Sequence, residues 1–279
     1  MRAKSSELYS GSVRLFLLAA LLAACWIGLN LLFPDLWPTG IPMIFTRLLI
    51  FGTILIGLWL GLSRTDFAAG TRVALWLAIA VPYTLWMALI WGLALHGAFQ
   101  PIPGVTVVSP VPFAIFVPVL IGLFLLIRSE HIAELLDAMP PSWLIGVQLY
   151  RVFGGIFLVN WIHGALPGVF AVPAGIGDMT VGLLALPAAL WAASGTPTGR
   201  RIGIAWNLLG LTDFVVAIAT GFLSSPGPLQ MFALNHPNVA IGSYPSVMVP
   251  AFAVPSWIIL HGLSLWQLRR MARKEASPS

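Results

Sequence analysis

Apolar residues run along this chain in eight stretches, near 13–33, 41–62, 73–98, 107–127, 144–166, 169–194, 202–222 and 247–268, separated by polar or turn-rich connections. Each is long enough to cross roughly 30 Å of hydrocarbon at about 1.5 Å per residue. The pattern predicts an all-α polytopic transmembrane helix bundle, with 1–279 forming a single integral membrane domain. Pro110, Pro112 and Pro118 interrupt the fourth stretch, for which a re-entrant segment is the alternative. Trp37, Trp59, Trp76, Trp143, Trp191 and Trp266 fall near predicted helix ends, where indoles anchor at the membrane interface. Two connections are longer than a tight turn. Segment 128–143 carries Glu130, Glu134 and Asp137 among apolar residues and reads as an amphipathic surface helix stopped by Pro140-Pro141. Segment 223–246 is turn-rich, with an apolar core from Leu229 to Leu234 able to dip into the interface.

Composition agrees with a membrane class: 59% of the 279 residues are apolar and 8% are charged, against about 25% charged in soluble domains. The positions of the basic residues orient the bundle. Of 14 Lys and Arg, all but Arg47 and Arg151 fall before or at the start of the first span, after the last, or at the second, fourth and sixth connections. The positive-inside rule then places both termini in the cytoplasm, in an inner (plasma) membrane of bacterial type. The formal charge of +5 becomes a topology device facing anionic lipid, and no nucleic-acid partner is expected. Leu22-Ala23-Ala24-Cys25 matches a lipoprotein cleavage box, but the apolar run continues through Phe33, so an anchoring helix is expected.

Several function classes are excluded by missing residues. The only lysines, Lys4 and Lys274, flank the spans, which removes a Schiff-base lysine. GxxxxGK[ST], HExxH and GxSxG do not occur, and one cysteine, Cys25, allows no CxxC motif. No enzyme class is indicated.

An ionisable group in hydrocarbon is costly and marks a candidate site. Asp178 is expected about 14 Å from the outer end of the sixth span, and Asp213 about 16 Å from the inner end of the seventh, so both lie near mid-membrane. Arg151, about 10 Å from the inner end of the fifth, is their natural counter-ion. Gln148, Arg151 and Gly155 share a face of that span, extended outward by Asn160 and His163; Asn207, Gly210 and Asp213 share one on the seventh. The run Pro173-Ala174-Gly175-Ile176-Gly177-Asp178 suggests a broken helix ending at a carboxylate, as in many transporter sites. Two Asp and one Arg leave a net −1, which favours holding a proton. Arg47, about 9 Å deep, is expected to snorkel outward. The alternative for the whole cluster is structural, an Arg–Asp lock between helices.

Among the histidines, His96, His163 and His236 all face outward in this topology, and imidazole suits Zn, Cu or haem iron, so a haem or metal is left open although no cofactor is predicted. His261 lies deeper, without a partner histidine, and is expected to pack through a hydrogen bond.

Tyr150-Arg151, Pro173-Ala174-Gly175-x-Gly177-Asp178, Trp206-Asn207 with Asp213, Tyr244-Pro245 and Leu260-His261-x-x-Ser264 together resemble an uncharacterised family of bacterial multi-pass membrane proteins, over roughly the second half of the chain. The resemblance implies no activity and carries over no functional residue.

The expected function is a transporter or permease for a small solute, proton-coupled in one form, with Arg151, Asp178, Asp213, Asn207 and Gln148 at its site. The expected partners are lipid, solute and protons, and a homo-oligomer is left open. One alternative is a membrane-embedded metal or haem redox protein using the outer histidines; another is a non-catalytic helper packed against other membrane proteins. Reporter fusions after Arg72, Arg128, Arg201 and Lys274 should report cytoplasm, and fusions near Asp35, Pro101 and Gln230 the opposite side. Inversion at both Pro101 and Arg128 would remove the topology.

Overall fold

In hydrocarbon each backbone N–H and C=O needs a partner within the protein, and a helix supplies one locally. The computed structural model describes residues 2–36, 39–101 and 108–276; it is 81% helical, with no strand among the described residues. Among the described residues, eight segments are long and apolar enough to cross a membrane: Ser6–Leu32, Ile41–Leu62, Ala69–Leu95, Val111–Arg128, Ser142–Ile162, Gly168–Ala192, Pro197–Ser224 and Val249–Ala276. The helices are α1 (Arg2–Leu32), α2 (Ile41–Leu62), α3 (Ala69–Leu95), α4 (Val111–Arg128), α5 (Glu130–Ala138), α6 (Ser142–Gly146), α7 (Ile156–Ile162), α8 (Gly168–Ala192), α9 (Pro197–Ser224) and α10 (Val254–Ala276). The fourth span is thus a continuous helix, not a re-entrant segment. Trp37 and residue 107 lie outside the described residues.

The fifth and eighth spans are the most enclosed, and α3 presents most of its surface outward. α8 packs against α1, α9 and the fifth span, while α10 packs against α4 and α9. Irregular backbone falls on the two enclosed spans. Val147–Gly155 joins α6 to α7 as a 3-10 stretch, and Val249–Ala253 leads into α10 as a π stretch. Such backbone survives at depth where protein surrounds it; the carbonyl of Phe153 in the 3-10 stretch accepts the Trp26 indole N–H at 3.0 Å.

The broken helix expected at Pro173–Asp178 is not present: α8 runs unbroken through Pro173 and Pro187. Pro173, the sixth residue of α8, forgoes a single ladder hydrogen bond, the one to the Val169 carbonyl, and the helix continues past it. The glycines of this region serve close approach instead. A Cβ on Gly175 would meet Leu158 Cγ at 2.7 Å, and one on Gly182 would meet the backbone nitrogen of Val152 at 2.5 Å. Small residues of this kind let helix backbones approach where lipid offers no hydrophobic drive.

At the end bearing the arginine-rich connections, α5 forms the expected surface helix. Ser129 Oγ caps its start by accepting from Ile132 N, and Leu135 and Leu136 are buried beneath it. Its other end is clamped to α10, because Gln267 Nε2 donates to the carbonyls of Leu136 (2.6 Å) and Met139 (2.7 Å). Asp137 receives Arg270 through both carboxylate oxygens (3.1 and 2.5 Å) and Lys274 at 2.9 Å. Partial burial raises the Asp137 pKa, but these bonds outweigh it and hold the carboxyl below its usual range. The clamp explains why α10 continues to Ala276, past the end of its apolar run. In the long connection at the other end, Leu229, Met231 and Leu234 are exposed, as an interfacial segment requires.

Two glycine substitutions separate packing from propensity. Gly182→Ala should cost about 1–3 kcal/mol by overpacking α8 against the 3-10 stretch. Gly92→Ala, in α3 with nothing within 4 Å of the added methyl, should be neutral or stabilise by about 0.5–1 kcal/mol. Unfolding midpoints of the purified variants in detergent would read both, and equal midpoints would count against the close contact at Gly182.

Candidate functional site

A 3-10 helix repeats every three residues, so its side chains at i and i+3 eclipse. In the fifth span this aligns Gln148, Arg151 and Gly154; the face predicted at helical spacing had used Gly155, which instead packs on Ile27 and Met179. The Arg151 side chain is fully buried and uses all three guanidinium nitrogens. Nε donates to Asp178 Oδ1 of α8 at 2.8 Å, Nη2 donates to Asp213 Oδ2 of α9, and Nη1 lies 3.1 Å from His261 Nε2 of α10. A guanidinium can only donate, so Nε2 accepts and the His261 proton sits on Nδ1. Nδ1 is 2.8 Å from Asn207 Oδ1, and Asn207 Nδ2 donates in turn to Ser264 Oγ (3.0 Å) and the Gly203 carbonyl (2.8 Å). A line of buried polar groups therefore runs from the carboxylates through Arg151, His261 and Asn207 to Ser264.

Three missing side chains make this geometry accessible. A Cβ on Gly154 would collide with the Asp178 side chain, one on Gly177 with the Asp213 carboxylate, and one on Gly210 with the His261 ring. The faces of the guanidiniums are covered by aromatics. Phe214 lies 4.1 Å from the Arg151 guanidinium, and Trp257 lies between two cations, 5.7 Å from Arg151 and 5.8 Å from Arg47.

Arg47 departs from its expected outward snorkel. α2 packs on the 3-10 stretch and turns position 47 into the bundle, where the residue is 4% exposed. Its Nε and Nη1 have no partner among the described residues. Arg47 lines a cavity of about 20 Å³, water-sized, shared with Tyr150, Trp257 and Asp178. Asp178 thus bonds to Arg151 and shares the small cavity with Arg47. Counting Arg47, the centre holds two arginines and two aspartates, so the net −1 expected from sequence becomes zero.

Above the carboxylates lies the principal cavity, about 560 Å³. Asp178 and Asp213 form its floor. Its walls are largely apolar, with Phe157, Phe170 and Phe214 from three spans, and at the end away from the carboxylates it is lined by Gln100, Ser109 and Asn238. Asn238 is 1% exposed, and its side-chain amide has no partner among the described residues. The cavity reaches the floor from the end opposite the arginine-rich connections. Nothing in the sequence distinguished its aromatic walls from ordinary core, and Asn238 stood out only as part of a turn-rich loop.

Other candidates lie elsewhere. Gln148 is fully buried on the Arg151 face, but its amide bonds to none of the described residues. His96, His163 and His236 are exposed, at the ends of α3 and α7 and in the long connection. No group of three His, Cys, Asp or Glu suited to a metal occurs among the described residues, so these three do not converge on a common ligand point. His261 does hydrogen-bond, as expected, but within the Arg151 centre, a membership its isolation in the sequence concealed.

Removing Arg151 strands two buried carboxylates. Arg151→Ala should therefore lower stability by about 3–5 kcal/mol, while Asp178→Asn, which keeps shape and an acceptor for Nε, should lower it less. Denaturant unfolding in detergent compares them; a smaller loss for Arg151→Ala than for Asp178→Asn would refute the pairing.

The comparisons with known proteins agree with an uncharacterised family. Residues 108–269 match the profile of a domain of unknown function, DUF8737, and no curated protein or solved structure matches the chain. The match takes in α4 through most of α10, and with them Arg151, Asp178, Asp213, Asn207 and His261; Arg47 is contributed from outside it. With more than half of its length so matched, the chain belongs to the DUF8737 family.

Proposed function

We propose that this protein is a multi-pass membrane transporter or permease for a small solute, coupled to proton movement, with its site at Asp178, Asp213 and Arg151. The observation that carries this reading is the cavity of about 560 Å³ that enters from one end of the bundle and stops at two carboxylates. Its volume is in the range of small-molecule sites, and it combines apolar walls with a few convergent polar groups. A lock between helices needs the Arg151 ion pairs but no cavity above them.

Proton coupling draws on the same groups. Each aspartate gives one oxygen to Arg151 and also lines the cavity, so a proton or a solute arriving there competes for the ion pair. Below the pair, His261, Asn207 and Ser264 continue the polar line toward the arginine-rich end, where the bundle is otherwise closed by α5 and Gln267. In the proposed setting, an inner (plasma) membrane with the basic end in the cytoplasm, the cavity faces outward.

Proteoliposomes with a trapped pH-sensitive dye test the reading. Wild-type protein should move protons in response to a gradient of a transported solute, screened across organic cations, neutral polyols and carboxylates. Asp178→Asn and Asp213→Asn should purify folded and lose at least about tenfold of that rate, roughly 1.4 kcal/mol in barrier. A folded Asp213→Asn variant with undiminished flux would overturn the assignment.

A further inference from the structure

The charges of the centre cancel in number but not in position. Arg151 is fully buried behind the floor, and Arg47 borders the small cavity on the other side rather than the principal one. The ionisable groups lining the principal cavity are Asp178 and Asp213. Each has one oxygen committed to Arg151 and makes no other side-chain hydrogen bond among the described residues. A ligand reaching the floor therefore meets acceptors and negative charge, with the compensating positive charge out of reach. An anion would face two carboxylates and could not contact either arginine.

The walls narrow the class further. Phe157, Phe170, Phe214 and Phe222 present aromatic surface to the cavity, and ring faces attract cations. A hydrated metal ion would gain little from such walls, and no third ligating group joins the two carboxylates. Apolar aromatic walls above a carboxylate floor are complementary to a cation that is itself bulky and apolar.

We propose that the cavity binds a lipophilic organic cation, whose positive centre lies against Asp178 and Asp213 and whose apolar groups contact the phenylalanine walls. This rests on the transport-site reading and deepens it by naming the ligand class. Charge sign can be isolated from shape with tetraphenylphosphonium and tetraphenylborate, which present the same four rings around opposite charges.

The test is equilibrium dialysis of each ion against the purified full chain in neutral detergent, corrected for micelle partition. Tetraphenylphosphonium should bind saturably and at least tenfold more tightly than tetraphenylborate. Asp213→Asn should weaken the phosphonium tenfold or more, and Ala217→Trp, which fills the cavity from α9, should abolish binding in a protein that remains monodisperse. Equal affinity for the two ions, preference for the borate, or phosphonium binding unaffected by both variants would each overturn the proposal. Asp213-dependent proton flux in liposomes without phosphonium binding would remove the cation class and leave the transporter. Phosphonium binding with the stated pattern but no flux for any solute would leave a cation-binding site and remove the transporter.

Discussion

A guanidinium removed entirely from water keeps its charge at tolerable cost only where acceptors meet its nitrogens, and that requirement governs how the central spans are arranged. Arg151 has one partner on each of α8, α9 and α10, so three helices must come within a single side chain of the 3-10 stretch. The order of the backbone follows from this demand. Regular α geometry rotates successive turns, whereas the three-residue repeat keeps Gly154 beneath Arg151 and opens the space that Asp178 occupies. Phe214 and Trp257 then cover the faces that cannot hydrogen-bond.

The membrane-spanning elements were legible because length and hydrophobicity set them almost alone, and the Arg151–Asp178–Asp213 grouping was legible because isolated charge in lipid is too costly to leave unpaired. Arg47 was misread for a related reason. Depth from the helix end can be counted from sequence, but α2 is apolar all round, so nothing local says which face turns inward. Pro173, Gly175 and Gly177 suggested a broken helix because proline and glycine carry the same signature whether they interrupt a backbone or make room for a neighbour. Only the neighbours, Leu158 and Asp213, decide between the two. The 3-10 and π stretches and the cavity escaped for want of any residue pattern that distinguishes them from regular helix and ordinary core.

The two ends of the bundle are built differently. One end is closed by directional bonds: Gln267 on the carbonyls of Leu136 and Met139, and Arg270 and Lys274 on Asp137. The other leaves a cavity whose rim includes a buried amide at Asn238 with no partner among the described residues. Arg47 reaches the centre from the segment preceding the family match, so the electroneutrality of the core depends on residues inside and outside that match.

The glycines at 154, 177 and 210 set a mechanical limit on the molecule. Each leaves a gap one methyl wide into which a polar group of the adjacent helix fits, so the fifth, sixth, seventh and eighth spans are meshed like gear teeth with no slack between them. Sliding any one past the others would drive Asp178, Asp213 or His261 into backbone. Any motion that leaves this mesh intact must carry the four spans together as one body.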